Sequence, residues 1–312
     1  MVGVEEARRE GEGVREWEAR RLRAIHGVDQ RAPWAVFSHP ALGESGAVRV
    51  AQAGADSSRF VPGTSSVVWG AAFALCRYLC DATSAHAEAE AEGKGEAEGE
   101  GKGEGRDQGW GRGHHAGQAT YAETCALARR GVVTRETVAV ELGAGLGLVG
   151  LAVAALGALR VVVTDAETGL LRANVEGAGL ANAACAELCW AAGAHAGGGD
   201  AAVNAFRDAL PCRPHLIVAS DVIYMQGTQD MVKLADTVSA LASDDTAVLI
   251  AFEERGDWGC VGEFWDAARE AGLEGDSIEL GADLEGVGGV GDADRILLRL
   301  RKRSPAPAPA RR

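Results

Sequence analysis

The sequence predicts an α/β domain: a doubly wound, mostly parallel sheet preceded by an N-terminal hairpin and helix. Three observations carry this. From about residue 137, apolar runs of strand length alternate with amphipathic segments of helix length. The glycine-rich turn "ELGAGLG" (Glu141–Gly147) joins the first of these strands to a helix. Asp165 ends the next strand, 20 residues after Gly145. On such sheets, ligands bind beyond the carboxyl ends of the strands.

The elements follow in order. Residues 1–33 are acid-rich, lack an apolar leader and are expected to form a helical or disordered arm. Residues 34–302 form the domain, and 303–312 a Pro/Ala tail. Val48–Ala53 reads as a hairpin strand. Ser66–Cys80 reads as a helix with Val67, Ala71, Leu75 and Leu79 on one side. Residues 85–119 are low-complexity Glu/Gly/Ala, with eight acids and three bases between Glu88 and Asp107. That composition predicts a disordered insertion. Tyr121–Arg130 is the next helix.

The alternating part then begins. It runs through strand Thr137–Leu142, helix Leu148–Leu156, strand Arg160–Thr164 and helix Thr168–Ala178. A strand at Ala184–Cys189, a Gly/Ala loop at 191–200 and the strand Leu216–Ala219 follow. Helix Gln229–Leu241, strand Thr246–Phe252 and helix Val261–Ala271 come next, and strands near Ser277–Leu280 and Arg295–Leu300 close the fold.

Composition narrows the function classes. A net charge of −14, from 31 basic and 45 acidic residues, argues against nucleic acid as a partner and suits a basic one. No apolar run reaches the roughly 18 residues of a membrane span, so no membrane partner is expected. The seven cysteines include CxxxC spacings at Cys76/Cys80 and Cys185/Cys189 but no CxxC pair. They read as small hydrophobes in a reducing compartment, with no metal site.

Gly143, Ala144 and Gly145 allow the backbone to approach a ligand at a helix N-terminus. Asp165 can accept hydrogen bonds from both hydroxyls of a ribose. An adenosine-type cofactor follows. Glu141 chooses between the candidates, because a carboxylate there opposes a pyrophosphate but suits the amino and sulfonium cations of S-adenosylmethionine. A dinucleotide oxidoreductase is therefore the weaker reading.

"VELGAGLGLVGLAVAALGALRVVVTD" resembles the first motifs of the Rossmann-like seven-strand (class I) methyltransferases. It is most similar to family 16, the methyltransferase-like 21 type, which modify lysines of non-histone proteins. "GTSSVVWGAAFALCRYL" resembles the helix whose tryptophan, here Trp69, contacts the cofactor. "LLRANV" fits the helix after the ribose-binding acid. "AELCWAAG" fits the segment that places a tryptophan, here Trp190, by the adenine. "ASDVIY" matches the Asp-x-x-Tyr motif and adds Ser220 to the cofactor side. "IAFEERG" resembles a Glu-Glu-Arg stretch on the following strand. The 85–119 insertion departs from the family pattern, and Met225-Gln226-Gly227 stands where an acid often follows the tyrosine.

The resemblance implies S-adenosylmethionine as cofactor and a lysine of a protein as acceptor, with chaperones, ATPases and translation factors as partner classes. It implies a monomer working in the cytoplasm or nucleus. Asp221 and Tyr224 are the expected catalytic pair. A free lysine has a pKa near about 10.4, so losing its proton at pH 7 costs roughly 4.6 kcal/mol. Asp221 would draw in the ammonium, and Tyr224 would offer an acceptor oxygen and an aromatic face. The competing reading has Asp221 capping the next helix and Tyr224 packing. Glu253-Glu254-Arg255 reads as a surface ion pair or a substrate contact, and Trp258 and Trp265 as packing residues. Acceptors other than lysine (arginine, histidine, a small molecule) and a non-catalytic cofactor-binding module are the alternatives.

Overall fold

The computed structural model describes residues 32–43, 46–53, 66–99, 119–193, 200–224, 227–254, 258–280 and 295–303. The N-terminal arm, the Pro/Ala tail beyond residue 303 and Arg255 lie outside them. Strands β1 (Trp34–Ser38) and β2 (Ala47–Ala51) form an antiparallel hairpin. Helices α1 (Gly70–Gly99) and α2 (Tyr121–Ala128) follow. The Thr120/Glu123 capping box fixes the start of α2.

The main sheet is then laid down. It uses β3 (Val138–Leu142), β4 (Arg160–Asp165), β5 (Ala183–Glu187), β6 (Leu216–Ser220), β7 (Ala247–Glu253), β8 (Leu273–Leu280) and β9 (Arg295–Lys302). Its connecting helices are α3 (Leu148–Ala155), α4 (Gly169–Ala178), α5 (Ala201–Asp208), α6 (Thr228–Leu241) and α7 (Trp258–Glu270).

The strand order is β5-β4-β3-β6-β7-β9-β8, with β9 antiparallel to both of its neighbours and the remaining pairs parallel. The chain winds outward from β3 to β5, then returns to lay β6 on the other side of β3. That reversal opens a crevice at the strands' carboxyl ends.

Alternation along the strands separates two cores. Ala139, Val161, Val163, Leu216 and Val218 face a layer of α1, α3, α4 and the hairpin. Val140, Leu142, Ile217, Ala219 and Ile250 face α5, α6 and α7. Both faces of the central strands are covered, which is why they read as unbroken apolar runs.

The first half of the expected disordered insertion is helical. α1 continues to Gly99, and its residues 87–92 are exposed. Its first turns are anchored by Ala71, Leu75, Cys76, Leu79 and Cys80. Once a helix is nucleated, each added residue gains a hydrogen bond, and Ala, Glu and Lys propagate it well. Low hydrophobicity rules out a core, not a solvated helix. Residues 100–118, with His114 and His115, lie outside the described residues. The sequence also gave no sign of α5, which Asp200 caps by accepting from the Ala202 and Val203 N–H groups at 2.8 and 3.2 Å.

Asn174, in "LLRANV" on α4, staples the hairpin to the glycine turn. Its Oδ1 accepts the Ala51 N–H at 2.8 Å, and its Nδ2 donates to the carbonyls of Ala51 (3.2 Å) and Leu146 (3.1 Å). Asn174→Ala leaves three backbone groups without these partners. A loss of about 2 kcal/mol is expected, read as a lower urea midpoint at unchanged slope. An unshifted midpoint would mean that water replaces the amide at no cost.

Candidate active site

Each parallel strand ends at the same edge of the sheet, so the residues at those ends converge. Glu141 near the end of β3, Asp165 at the end of β4 and Ser220 at the end of β6 line one cavity of about 320 Å³. Trp69, Gly143, Ala144, Gly145, Trp190, Asp221 and Tyr224 line it too. All ten residues singled out from the sequence therefore meet in one place. The cavity volume lies within the range of small-molecule sites.

The glycine turn is built for close approach. Gly143 and Gly145 hold φ of 60° and 53°, a region that disfavours side chains. A Cβ on Gly143 would lie 2.8 Å from Val222 Cγ1 and 2.9 Å from Trp190 Cζ2. The Trp190 ring thus packs directly on bare backbone. The turn is tied to β4 through the Ala144 N–H, which donates to the Thr164 carbonyl at 2.9 Å.

Asp165 is pre-oriented. Its Oδ2 accepts the Gly145 N–H at 2.8 Å and its Oδ1 the Glu167 N–H at 3.0 Å. A carboxylate has about four acceptor sites, so each oxygen retains one for a diol in the cavity.

Asp221 does something the sequence did not show. It is 8% exposed, and its backbone is left-handed at φ 53°. Its Oδ1 accepts the Glu253 N–H at 3.0 Å, and its Oδ2 the Ala71 N–H in the first turn of α1 at 3.4 Å. It does cap a helix, but not the next one: α6 begins at Gly227 with no side-chain cap. The carboxylate expected to draw in an ammonium lines the cavity and also holds α1 and β7 against β6. Tyr224, half-buried, lies at the cavity wall.

Within the "IAFEERG" stretch, Glu253 is buried rather than on the surface, in register with Arg295 on β9. Trp265 packs against the second core, as a packing residue does. The side chain of Trp258 lies outside the described residues.

Sequence reasoning missed Asp230 and Lys233, which line the cavity from the first turns of α6. Their i, i+3 spacing reads as a helix-surface ion pair. It does not reveal which way that surface faces.

The order of motifs decides the family. A model described as lysine methyltransferase matches residues 57–264, from ahead of α1 into α7. The chain belongs to the lysine methyltransferase family. The mouse (Mus musculus) protein N-lysine methyltransferase METTL21A is 35% identical over 127 residues, 38% of this chain and 51% of that protein. The match thus spans about half the length of that relative.

Two solved structures are also similar. One is a TehB-like SAM-dependent methyltransferase of Corynebacterium glutamicum, at 17% identity over 61% of this chain and 91% of that one, with a TM-score of 0.39. The other is N-methyltransferase NodS of Bradyrhizobium japonicum, in complex with S-adenosyl-L-homocysteine, at 13% identity over 59% and 86%, with a TM-score of 0.39. The fold is defined by this chain's own strand order.

In this member of the family, Glu141 is a strongly perturbed acid of the cavity. It is 1% exposed, and its Oε2 accepts the Gly150 N–H at 2.7 Å. Burial pushes its carboxyl up to about 8; the nearby Asp165 adds to the rise, and the Gly150 N–H opposes it. The folded state therefore keeps a proton that the unfolded chain sheds near its ordinary value of 4.5. The stability this proton contributes is full below that value and is lost as pH rises through about 8. Glu141→Gln removes the titration and keeps an oxygen for Gly150. In ligand-free protein, the melting temperature of the variant is expected to gain on wild type from about pH 5 to about pH 9. Parallel curves would show that Glu141 is charged throughout.

Proposed function

We propose that this chain transfers a methyl group from S-adenosylmethionine to a lysine side chain of a non-histone protein. The observation that supports this best is the single cavity shared by the glycine turn, Asp165 and Tyr224, in a chain of the lysine methyltransferase family. The residues fit the cofactor. Gly143 and Gly145 bring backbone to the cavity wall, Asp165 presents acceptors for a ribose diol, and Trp69 and Trp190 offer aromatic surfaces.

When bound, S-adenosylmethionine supplies an electrophilic methyl carbon and a cationic sulfonium. The chain supplies placement. Tyr224 presents its oxygen and ring to the incoming amine, which must arrive neutral and in line. Asp165 and Asp230 give the cavity wall acidic side chains, which favour a cationic ligand, whereas the buried Glu141 keeps its proton and adds no charge near neutral pH. Asp221 acts at one remove: its carboxylate fixes the first turn of α1, beside Trp69, against the end of β6. A cytoplasmic protein with an accessible lysine is the proposed partner, and the seven free cysteines suit a reducing compartment.

Two variants test the assignment. Asp165→Ala should weaken S-adenosylhomocysteine binding at least about tenfold in calorimetry, since hydrogen bonds to a charged group contribute roughly 1.5–3 kcal/mol each. Unchanged affinity in a folded variant would remove Asp165 from the cofactor site. Tyr224→Phe should bind S-adenosylhomocysteine as wild type does, yet lose transfer to protein about 100-fold, or roughly 2.7 kcal/mol. The assay is labelled S-adenosylmethionine with a cell extract. Loss of binding with normal residual transfer would move Tyr224 to the cofactor side.

A further inference from the structure

The chain contains only four lysines among its 31 Lys and Arg residues: Lys94, Lys102, Lys233 and Lys302. One of them, Lys233, lines the cavity that holds the glycine turn, Asp165 and Tyr224. It lies on α6, and its Nζ donates to Asp230 Oδ1, on the same cavity wall, at 2.9 Å. The side chain of Lys233 is 39% exposed, so water reaches it. A primary amine is thus held at a site proposed to methylate primary amines.

The other lysines are poorly placed. Lys302 ends β9, which is antiparallel, so it sits at the sheet edge away from the strands' carboxyl ends. Lys94 is 24 residues into α1 from Gly70, or roughly 36 Å along the helix at 1.5 Å per residue. Only the start of α1 touches the cavity, through Ala72 and the preceding Trp69. Lys102 lies outside the described residues.

We propose that Lys233 is a self-methylation site, modified by the cavity it lines. The proposal rests on the methyl-transfer reading above. The amine of Lys233 first gives a proton to water at the cavity mouth. Its lone pair then forms the N–C bond to the methyl group while the C–S bond breaks. The bonding pair stays on sulfur, giving S-adenosylhomocysteine and an N-methyl ammonium, which carries the positive charge that the sulfonium loses. Asp230 orients the amine through the same hydrogen bond and offsets the charge of the product, which remains a cation. Because donor and acceptor belong to one chain, the reaction is intramolecular and its fractional rate does not depend on protein concentration.

The test uses the full chain with S-adenosylmethionine carrying a deuterated methyl group, read by intact mass and by peptide mapping. The expected result is methyl label on Lys233, with a first-order rate unchanged by tenfold dilution. Lys233→Arg should lose at least tenfold of the label at an unchanged melting temperature. The triple variant K94R/K102R/K302R, which leaves Lys233 as the only lysine, should label as wild type does. Label confined to another residue overturns the proposal. So does an unlabelled Lys233 in a protein that binds S-adenosylhomocysteine and methylates proteins of a cell extract, and in that case the proposed function stands. A chain that neither binds S-adenosylhomocysteine nor labels anything removes both. A rate that falls with dilution overturns the intramolecular route.

Discussion

Glu141 stands where three parts of the molecule meet. It belongs to β3, its carboxyl accepts the N–H of Gly150 on α3, and its carbonyl accepts the Thr164 hydroxyl of β4 at 2.7 Å. Everything on the cofactor side is hung from this junction. A Cβ on Gly150 would come within 2.2 Å of Val163 Cγ1 and 2.6 Å of Glu141 Oε2. Helix α3 therefore packs on the sheet with its backbone, not with a side chain. That contact sets where α3 begins, and so where the glycine turn must bend. Burying a carboxyl so completely is costly when it is ionised. The raised affinity of Glu141 for its proton is the physical sign of that cost.

A second junction organises the acceptor side. Asp221 joins β6 to α1 and β7 through two backbone N–H groups. Its left-handed backbone turns the chain sharply after the strand, which lets the segment toward Tyr224 face the cavity. Two acidic side chains at the ends of neighbouring strands thus do parallel jobs. Glu141 seats one helix beneath the turn, and Asp221 seats another beside Trp69. The cavity lies between the two seats.

Much of this was legible in the sequence. The strands around β3, β4, β6 and β7 carry unbroken apolar runs, and each is followed by a helical pattern, so the order of elements could be read directly. The glycines with Asp165 located the cavity, because that pairing depends on one local unit. What escaped depends on distance along the chain. The partners of Asp221 are 150 and 32 residues away, so its spacing from Tyr224 said nothing of them. Asp230 and Lys233 point into the cavity because α6 packs as it does, which no local pattern encodes. α5 was hidden because its eight residues follow a Gly/Ala stretch and bury only Val203. The extension of α1 was misjudged because composition measures the capacity to form a core, whereas helix growth needs only a nucleus and good formers.

The two rims of the sheet are finished differently. β5, at one rim, is five residues long, four with small side chains followed by Glu187. β8, at the other, is eight residues long, with four of them exposed. There Asp276 accepts two hydrogen bonds from Arg299 on β9, at 2.8 and 2.7 Å, and Glu274 accepts from Arg301 at 3.1 Å. An open strand is a template for pairing with another chain, and shortness and charge are the usual defences. One rim is protected by offering few peptide groups, the other by carrying acids that a like-charged copy would have to confront. In a chain with a net charge of −14, the charged side chains of β8 therefore disfavour edge-to-edge stacking of a second copy.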